Sequence, residues 1–216
     1  KLHDAMVYNI HDVMRDVRIC LDQNMTSEQL LQDDDVDTLA LDDIVRSKIL
    51  EAVVRVHSNA PTYLLEEGHN FGDAVFWGDL ESGWVLLPQD FMRLIVFEMS
   101  DWERAVFLAI SPTDPEYALQ RQRIKALRGT AQKPVCVITS RPEGRALEFY
   151  SCKSERAYVR RAQYLPYPKI DKDGGIDICE RCYTAVKYAA ASLVLLTLGE
   201  SEKSSALSEI SNSALQ

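Results

Sequence analysis

The sequence predicts an α+β fold in a single domain, with a helical core from approximately residues 1–60 and 176–216 and a β-rich insertion at approximately 73–170. Three observations carry this expectation. Apolar residues recur at helical spacing near both ends of the chain, and short β-branched and aromatic runs separated by turn signals fill the middle. The longest helical pattern then follows the last of those runs. Helices from the two ends are expected to pack together, leaving the strands as a separate layer.

Leu2, Met6, Ile10, Val13, Val17 and Leu21 form one apolar stripe, so a helix is expected from there to about Asn24. Thr26 followed by Gln29 has the capping-box pattern and predicts a short turn through Leu31, before the acidic run Asp33–Asp37. Leu41, Val45, Ile49, Ala52 or Val53, and Val56 define a second helix that stops at Ser58-Asn59-Ala60-Pro61. Ala74–Trp77 and Trp84–Leu87 read as a hairpin around Gly78–Gly83. Pro88–Arg93 is expected as a helical turn, followed by strands at Leu94–Met99 and Ala105–Ile110. Thr113 as cap, Pro115 and Glu116 predict a helix from there to Leu127. Strands are expected at Pro134–Thr139, Ala146–Cys152 and Ala157–Tyr164, the first two joined by the turn Arg141-Pro142-Glu143-Gly144. Ile178, Cys182, Ala185, Ala189, Ser192 and Leu196 mark the strongest helix, whose small residues allow another helix close approach. Gly199 ends it, and a polar terminal helix is expected over Glu200–Leu215.

Composition narrows the class. The chain has 216 residues, 46% hydrophobic and 26% charged, with nine Gly and eight Pro, which excludes disordered and collagen-like architectures. A domain of this length needs no metal or disulfide staple. Its longest apolar stretch, Ala189–Leu198, is about half a membrane span, and Lys1-Leu2-His3-Asp4-Ala5 opens with no apolar leader, so neither a transmembrane helix nor an export signal is expected. Cys20, Cys136, Cys152, Cys179 and Cys182 are odd in number and irregularly spaced, which favours reduced thiols in a cytosolic setting. The net charge of −9 argues against general affinity for nucleic acid. That charge is segregated along the chain: residues 118–172 carry 13 basic and 4 acidic side chains, and residues 1–50, 51–117 and 173–216 are each net acidic.

Motifs for chemistry are weak. Cys179-Glu180-Arg181-Cys182 has no second CxxC and no His pair to complete a zinc site, and two helical cysteines at that spacing are more simply small buried residues on one face. Asp171-Lys172-Asp173-Gly174 starts like a calcium loop without its closing Glu, so a turn is the expectation. The aspartates around Asp33 read as a solvated loop. His3, His11, His57 and His69 lie in the first third with no nucleophile elbow, and neither a P-loop nor a dinucleotide fingerprint occurs. No catalytic, cofactor-binding or metal-ligating residue is assigned, and an enzyme is not expected. The candidate functional residues are basic: Arg121, Arg123 and Arg128 about the middle helix, and Arg156, Arg160 and Arg161 about a strand that also carries Tyr158 and Tyr164. They suit a protein interface or self-assembly; the alternative is a nucleic-acid-binding module in which these tyrosines stack on bases.

An ordered series of segments resembles a known family. Leu87-Pro88-Gln89-Asp90-Phe91-Met92-Arg93-Leu94, Met99-Ser100-Asp101-Trp102, the Gln-rich stretch Tyr117–Arg123 and Lys133-Pro134-Val135 come first. Leu147–Cys152, Tyr164-Leu165-Pro166 and the helix Ala185–Val194 through Thr197-Leu198-Gly199-Glu200 follow. Together, over roughly residues 40–210, they resemble the head-to-tail connector (tail adaptor, neck ring) proteins of tailed bacteriophages, especially those of short-tailed phages of Bacteroidetes hosts, the crAss-like group among them. The resemblance implies a non-enzymatic virion protein made in the host cytoplasm. Copies form a ring, dodecameric in such proteins, beneath the portal, where it contacts portal and tail proteins and extends the channel for passing genomic DNA. It transfers no catalytic residue. A ring joins unlike faces of neighbouring subunits, which gives the segregated charge a role: part of the basic segment meets the acidic N-terminal half of the next subunit or the portal.

Overall fold

The computed structural model describes residues 7–22, 41–65 and 68–216. In chain order the elements are β1 (Val7–Asn9), α1 (Ile10–Asp22), α2 (Leu41–Asn59), β2 (His69–Asn70), β3 (Phe76–Trp77), β4 (Gly83–Leu86), β5 (Phe91–Met99) and α3 (Pro115–Gln120). There follow β6 (Val135–Arg141), β7 (Gly144–Tyr150), β8 (Val159–Pro166), β9 (Gly175–Asp177), α4 (Tyr183–Thr197) and α5 (Ser201–Ser213). The class is α+β, and the sheets are antiparallel. The chain divides into two compact units, Lys1–Glu66 with Pro168–Gln216, and Glu67–Tyr167.

The first unit is helical. Its centre is α4, which is apolar around most of its circumference and packs against α1, α2 and α5. Val13, Val17 and Leu21 of α1 and Val45, Ile49 and Val53 of α2 are fully buried, as their spacing predicts. The first helix starts later than expected, at Ile10. Val7–Asn9 is extended and pairs antiparallel with Gly175–Asp177, and the Asn9 carboxamide oxygen then accepts the His11 N–H at the helix start. Leu2, Met6, the expected helix end at Asn24, the Thr26–Leu31 turn and the Asp33–Asp37 run lie outside the described residues. The strongest predicted helix also starts late, at Tyr183 rather than Ile178, because β9 is engaged by β1 and the Cys179 N–H is bound by His57.

The α4–α5 hairpin explains the small residues of that helix. Gly199, at φ +86°, takes the left-handed position that an L side chain resists. Its N–H reaches Leu196 O and the Glu200 N–H reaches Leu195 O, which satisfies the last carbonyls of α4. Ser192 and Ser204 then donate to each other's backbone oxygens, both at 2.8 Å, and Ser211 Oγ donates to Ala185 O. These buried serines draw the two helix backbones together and leave no hydroxyl in the contact unsatisfied.

The second unit is β-rich. One sheet has the order β2-β8-β5 and the other β3-β4-β7-β6. Phe71, Phe91, Phe97, Trp102, Phe149 and Tyr164 fill the core between them with edge-to-face and stacked contacts. The predicted hairpin and the three later strands are present, with the turn at Pro142-Glu143. Three expectations change. Pro88–Arg93 holds only a turn, closed by the Phe91 N–H on Pro88 O, after which β5 starts at Phe91 to bury that ring. Ala105–Ile110 is not a strand. Val106 bridges to Phe97 of β5 and Ile110 to β6, so the segment stitches the two sheets together instead of pairing along either. The helix expected to reach Leu127 ends at Gln120, capped by Asp114 rather than Thr113. Leu119, Ile124 and Leu127 are all exposed, so no buried apolar face holds a longer helix together.

Replacing Ser204 by Leu forces α4 and α5 apart and removes the reciprocal hydrogen bonds. Urea unfolding followed by circular dichroism is expected to show a loss of about 2–3 kcal/mol, against about 1 kcal/mol for Ser204→Ala.

Candidate protein-interaction surface

The six candidate arginines fall into two groups, both in the β-rich unit. Arg121, Arg123 and Arg128 lie on the excursion between β5 and β6. Arg121 caps α3, its guanidinium 4.6 Å from the Tyr117 ring centre and hydrogen-bonded to that hydroxyl. Arg123 is exposed. Arg128 is half-buried and donates through Nη1 to Leu80 O at 2.9 Å. Arg156 is exposed on the turn before β8, while Arg160 and Arg161 lie on the strand itself. Arg160 is the extra residue of a bulge opposite Glu98 and Met99, and its Nη1 lies 3.2 Å from Glu98 Oε1; Arg161 Nε donates to Gln163 Oε1 at 3.0 Å. Arg160 and Arg161 are thus engaged with their own sheet and Arg121 and Arg128 with the excursion and its neighbour Leu80, while Arg123 and Arg156 are exposed.

The sequence segregates charge differently from the fold. Residues 67–167 hold 13 basic and 13 acidic side chains, so the β-rich unit is neutral and the helical unit carries the whole −9. Acidic residues before the basic segment fold back on it: Glu98 meets Arg160, and Glu103 lies 3.7 Å from Lys153. A local excess survives on the excursion, where residues 104–133 carry six basic and two acidic side chains.

Sequence reasoning missed a network on the outer face of the four-stranded sheet. Glu148 is buried, and its carboxylate accepts from Arg141 (2.7 and 2.9 Å), Thr139 (3.1 Å) and the Tyr150 hydroxyl (2.5 Å). Arg141 lies over the Trp84 ring at 3.8 Å, and Phe76 stacks beside Trp84. Burial, then the bond to Glu148, pushes the Tyr150 phenol well up, so it remains a donor. A carboxylate with three donors is a structural acceptor rather than a general base awaiting a substrate proton. Its signal was a charged residue between Leu147 and Phe149 in a strand, seven residues from an arginine; which of the many arginines answers it depends on the hairpin register.

A cleft of about 430 Å³ lies between Leu80-Glu81, Arg128–Gln132 and Ser151–Lys153. Leu80, Glu81 and Ser151 all have φ above +60°, and Arg128 Nε and Ser151 Oγ are buried without a hydrogen-bond partner. Its charged lining is balanced, Arg128 and Lys153 against Glu81 and Glu103.

The remaining motifs are structural. Cys179 and Cys182 do not share a helical face: Cys179 precedes a single 3-10 turn, its Sγ on Leu64 O and its N–H on His57 Nε2, and Cys182 ends that turn. All five cysteines are buried thiols. Burial, then the Asp101 charge, raises Cys152 to about 12, burial raises Cys20, and burial with the neighbouring Cys152 raises Cys136 well above the usual range. Among the described residues no group of three or more His, Cys, Asp and Glu is placed to hold a metal ion, and no helix is long and apolar enough to cross a membrane. The Asp171–Gly175 segment is a turn, closed by Asp171 N–H on Gly175 O. Tyr158 is exposed, but Tyr164 is buried in the aromatic core with its hydroxyl on Asp90 at 2.9 Å, so it offers no ring for base stacking. In comparison with known proteins, the chain matches no family model and no curated protein.

Two outcomes follow. Glu148→Ala strands Arg141 and Tyr150 and is expected to lower stability by about 3–5 kcal/mol in chemical denaturation. Alkaline pH tests the buried protons: the unfolded chain ionises Cys152 near 9.0 and Tyr164 near 10.0, while the folded unit keeps both protonated to about 12. The unfolded state therefore sheds protons first, and the melting temperature should fall steadily from pH 9 to 12. A flat profile to pH 11 would contradict this.

Proposed function

We propose that the chain is a non-enzymatic structural subunit of a tailed-phage neck, assembling head to tail into a dodecameric ring that joins portal to tail and continues the DNA channel. The observation that carries the reading is the unequal charge of the two units: a helical unit at −9 and a neutral β-rich unit that projects a basic excursion. A subunit with two unlike, electrostatically complementary surfaces associates heterologously, and heterologous contacts that close make rings. The ordered segments of the connector resemblance fall within both units. An excess of acidic groups also suits a lumen through which DNA slides without adhering.

The excursion arginines Arg121 and Arg123 are the residues to test. Electron microscopy of the chain co-expressed with its cognate portal protein is expected to show a ring beneath the portal. Arg121→Glu with Arg123→Glu should weaken that ring by an order of magnitude or more at low salt, with little further loss at high salt. A chain that leaves the portal undecorated and instead shifts single-stranded DNA at physiological salt would replace the connector reading by the nucleic-acid-binding one.

A further inference from the structure

The excursion offers more than charge. Val106 exchanges two hydrogen bonds with Phe97, both 2.8 Å, and Ile110 is bound by Cys136 O and the Ile138 N–H at 2.9 and 3.1 Å. Between these anchors Phe107 and Leu108 stand 54% and 78% exposed, and the exposed Arg104 lies just before them. An apolar pair held out by hydrogen bonds to two different sheets is ordered before binding and loses little conformational freedom on docking. A few well-packed side chains that become fully desolvated carry most of the energy of a protein interface.

The helical unit carries a surface of matching chemistry. Just before Gly199, at the end of α4, Leu196 and Leu198 are 57% and 41% exposed. Of the charges that follow, Lys203 is paired with Glu200 at 3.3 Å and Glu202 is exposed, so the turn is apolar with a residual negative charge. We infer that the Phe107-Leu108 tip of one copy docks on the α4–α5 turn of a second copy, with Arg104, just before the tip, facing the acidic side of that turn. The inference rests on the ring reading and names its contact. Tip and turn are different surfaces, so each copy can give one and receive one, and the association propagates around a ring.

Two variants separate the halves of this contact: Phe107→Ser with Leu108→Ser, and Leu196→Ser with Leu198→Ser. All four residues are exposed, so both variants should keep the wild-type melting temperature. Sedimentation velocity over a concentration series is expected to show wild-type oligomers and, for each variant alone, association weakened roughly thirty-fold or more. Mixed in equal amounts, the two variants should give heterodimers and nothing larger, since only one tip and one turn remain per pair. Oligomers unchanged in either variant, or a mixture that stays monomeric, would overturn the inference while leaving the ring intact as a reading. Wild type that is monomeric throughout would also overturn it, with the portal micrographs then deciding the ring separately. Open filaments with the same variant pattern would uphold the contact and remove the ring.

Discussion

A chain that leaves one packed unit and returns a hundred residues later loses entropy in closing that loop unless the departing and returning segments are held together. Here they are. His69–Asn70 pairs with Gln163–Tyr164, so the entry strand of the β-rich unit lies directly against its exit strand. The pairing needs Gly68, because a Cβ there would sit 2.2 Å from Tyr164 O. β8 is thereby fixed between β2 and β5, Tyr164 is committed to the core against Phe71 and Phe91, and the sheet that carries Arg160 and Arg161 is set.

The same folding-back decides the electrostatics. A basic third of the chain next to an acidic third reads in sequence as two opposed surfaces, but antiparallel pairing lays the one on the other and cancels most of it. What remains is set by which residues escape the sheets. The excursion between β5 and β6 is held by Val106, by Ile110, by the Glu103 N–H on Ala131 O and by the Arg128 contact with Leu80, and between these anchors Phe107, Leu108, Arg121, Arg123 and Ile124 are exposed. Long connections with little secondary structure of their own are commonly where a protein meets its partners.

Periodicity made the helices and the main strands legible, because a buried stripe leaves a regular imprint: Val45, Ile49 and Val53 are as apolar in the sequence as they are buried in the fold. The class and the approach of a second helix to Ser192 were readable for that reason. Where a long-range partner outranked local preference, the sequence misled. Val7–Asn9 falls between the stripe positions Met6 and Ile10 of the expected helix yet pairs with β9, and Ala105–Ile110 has strand composition yet makes a single bridge at each end. The arginine positions were visible, but not their partners: Glu98 is 62 residues from Arg160, and only the β5–β8 register brings them together. The Glu148 network escaped for the same reason.

The insertion also has a consequence in time. The β-rich unit is contiguous, Glu67–Tyr167, and all its strands have emerged before the second half of the helical unit is made. α1 and α2 touch each other, but their apolar stripes are fully covered only once α4, against which both pack, has been synthesised. During translation the sheets can close first and the helical unit last. The turn between α4 and α5 follows the Phe107-Leu108 tip in the chain, so a nascent chain carries the tip before it carries the turn. Under the tip-to-turn contact proposed above, synthesis order keeps incomplete copies from extending an assembly.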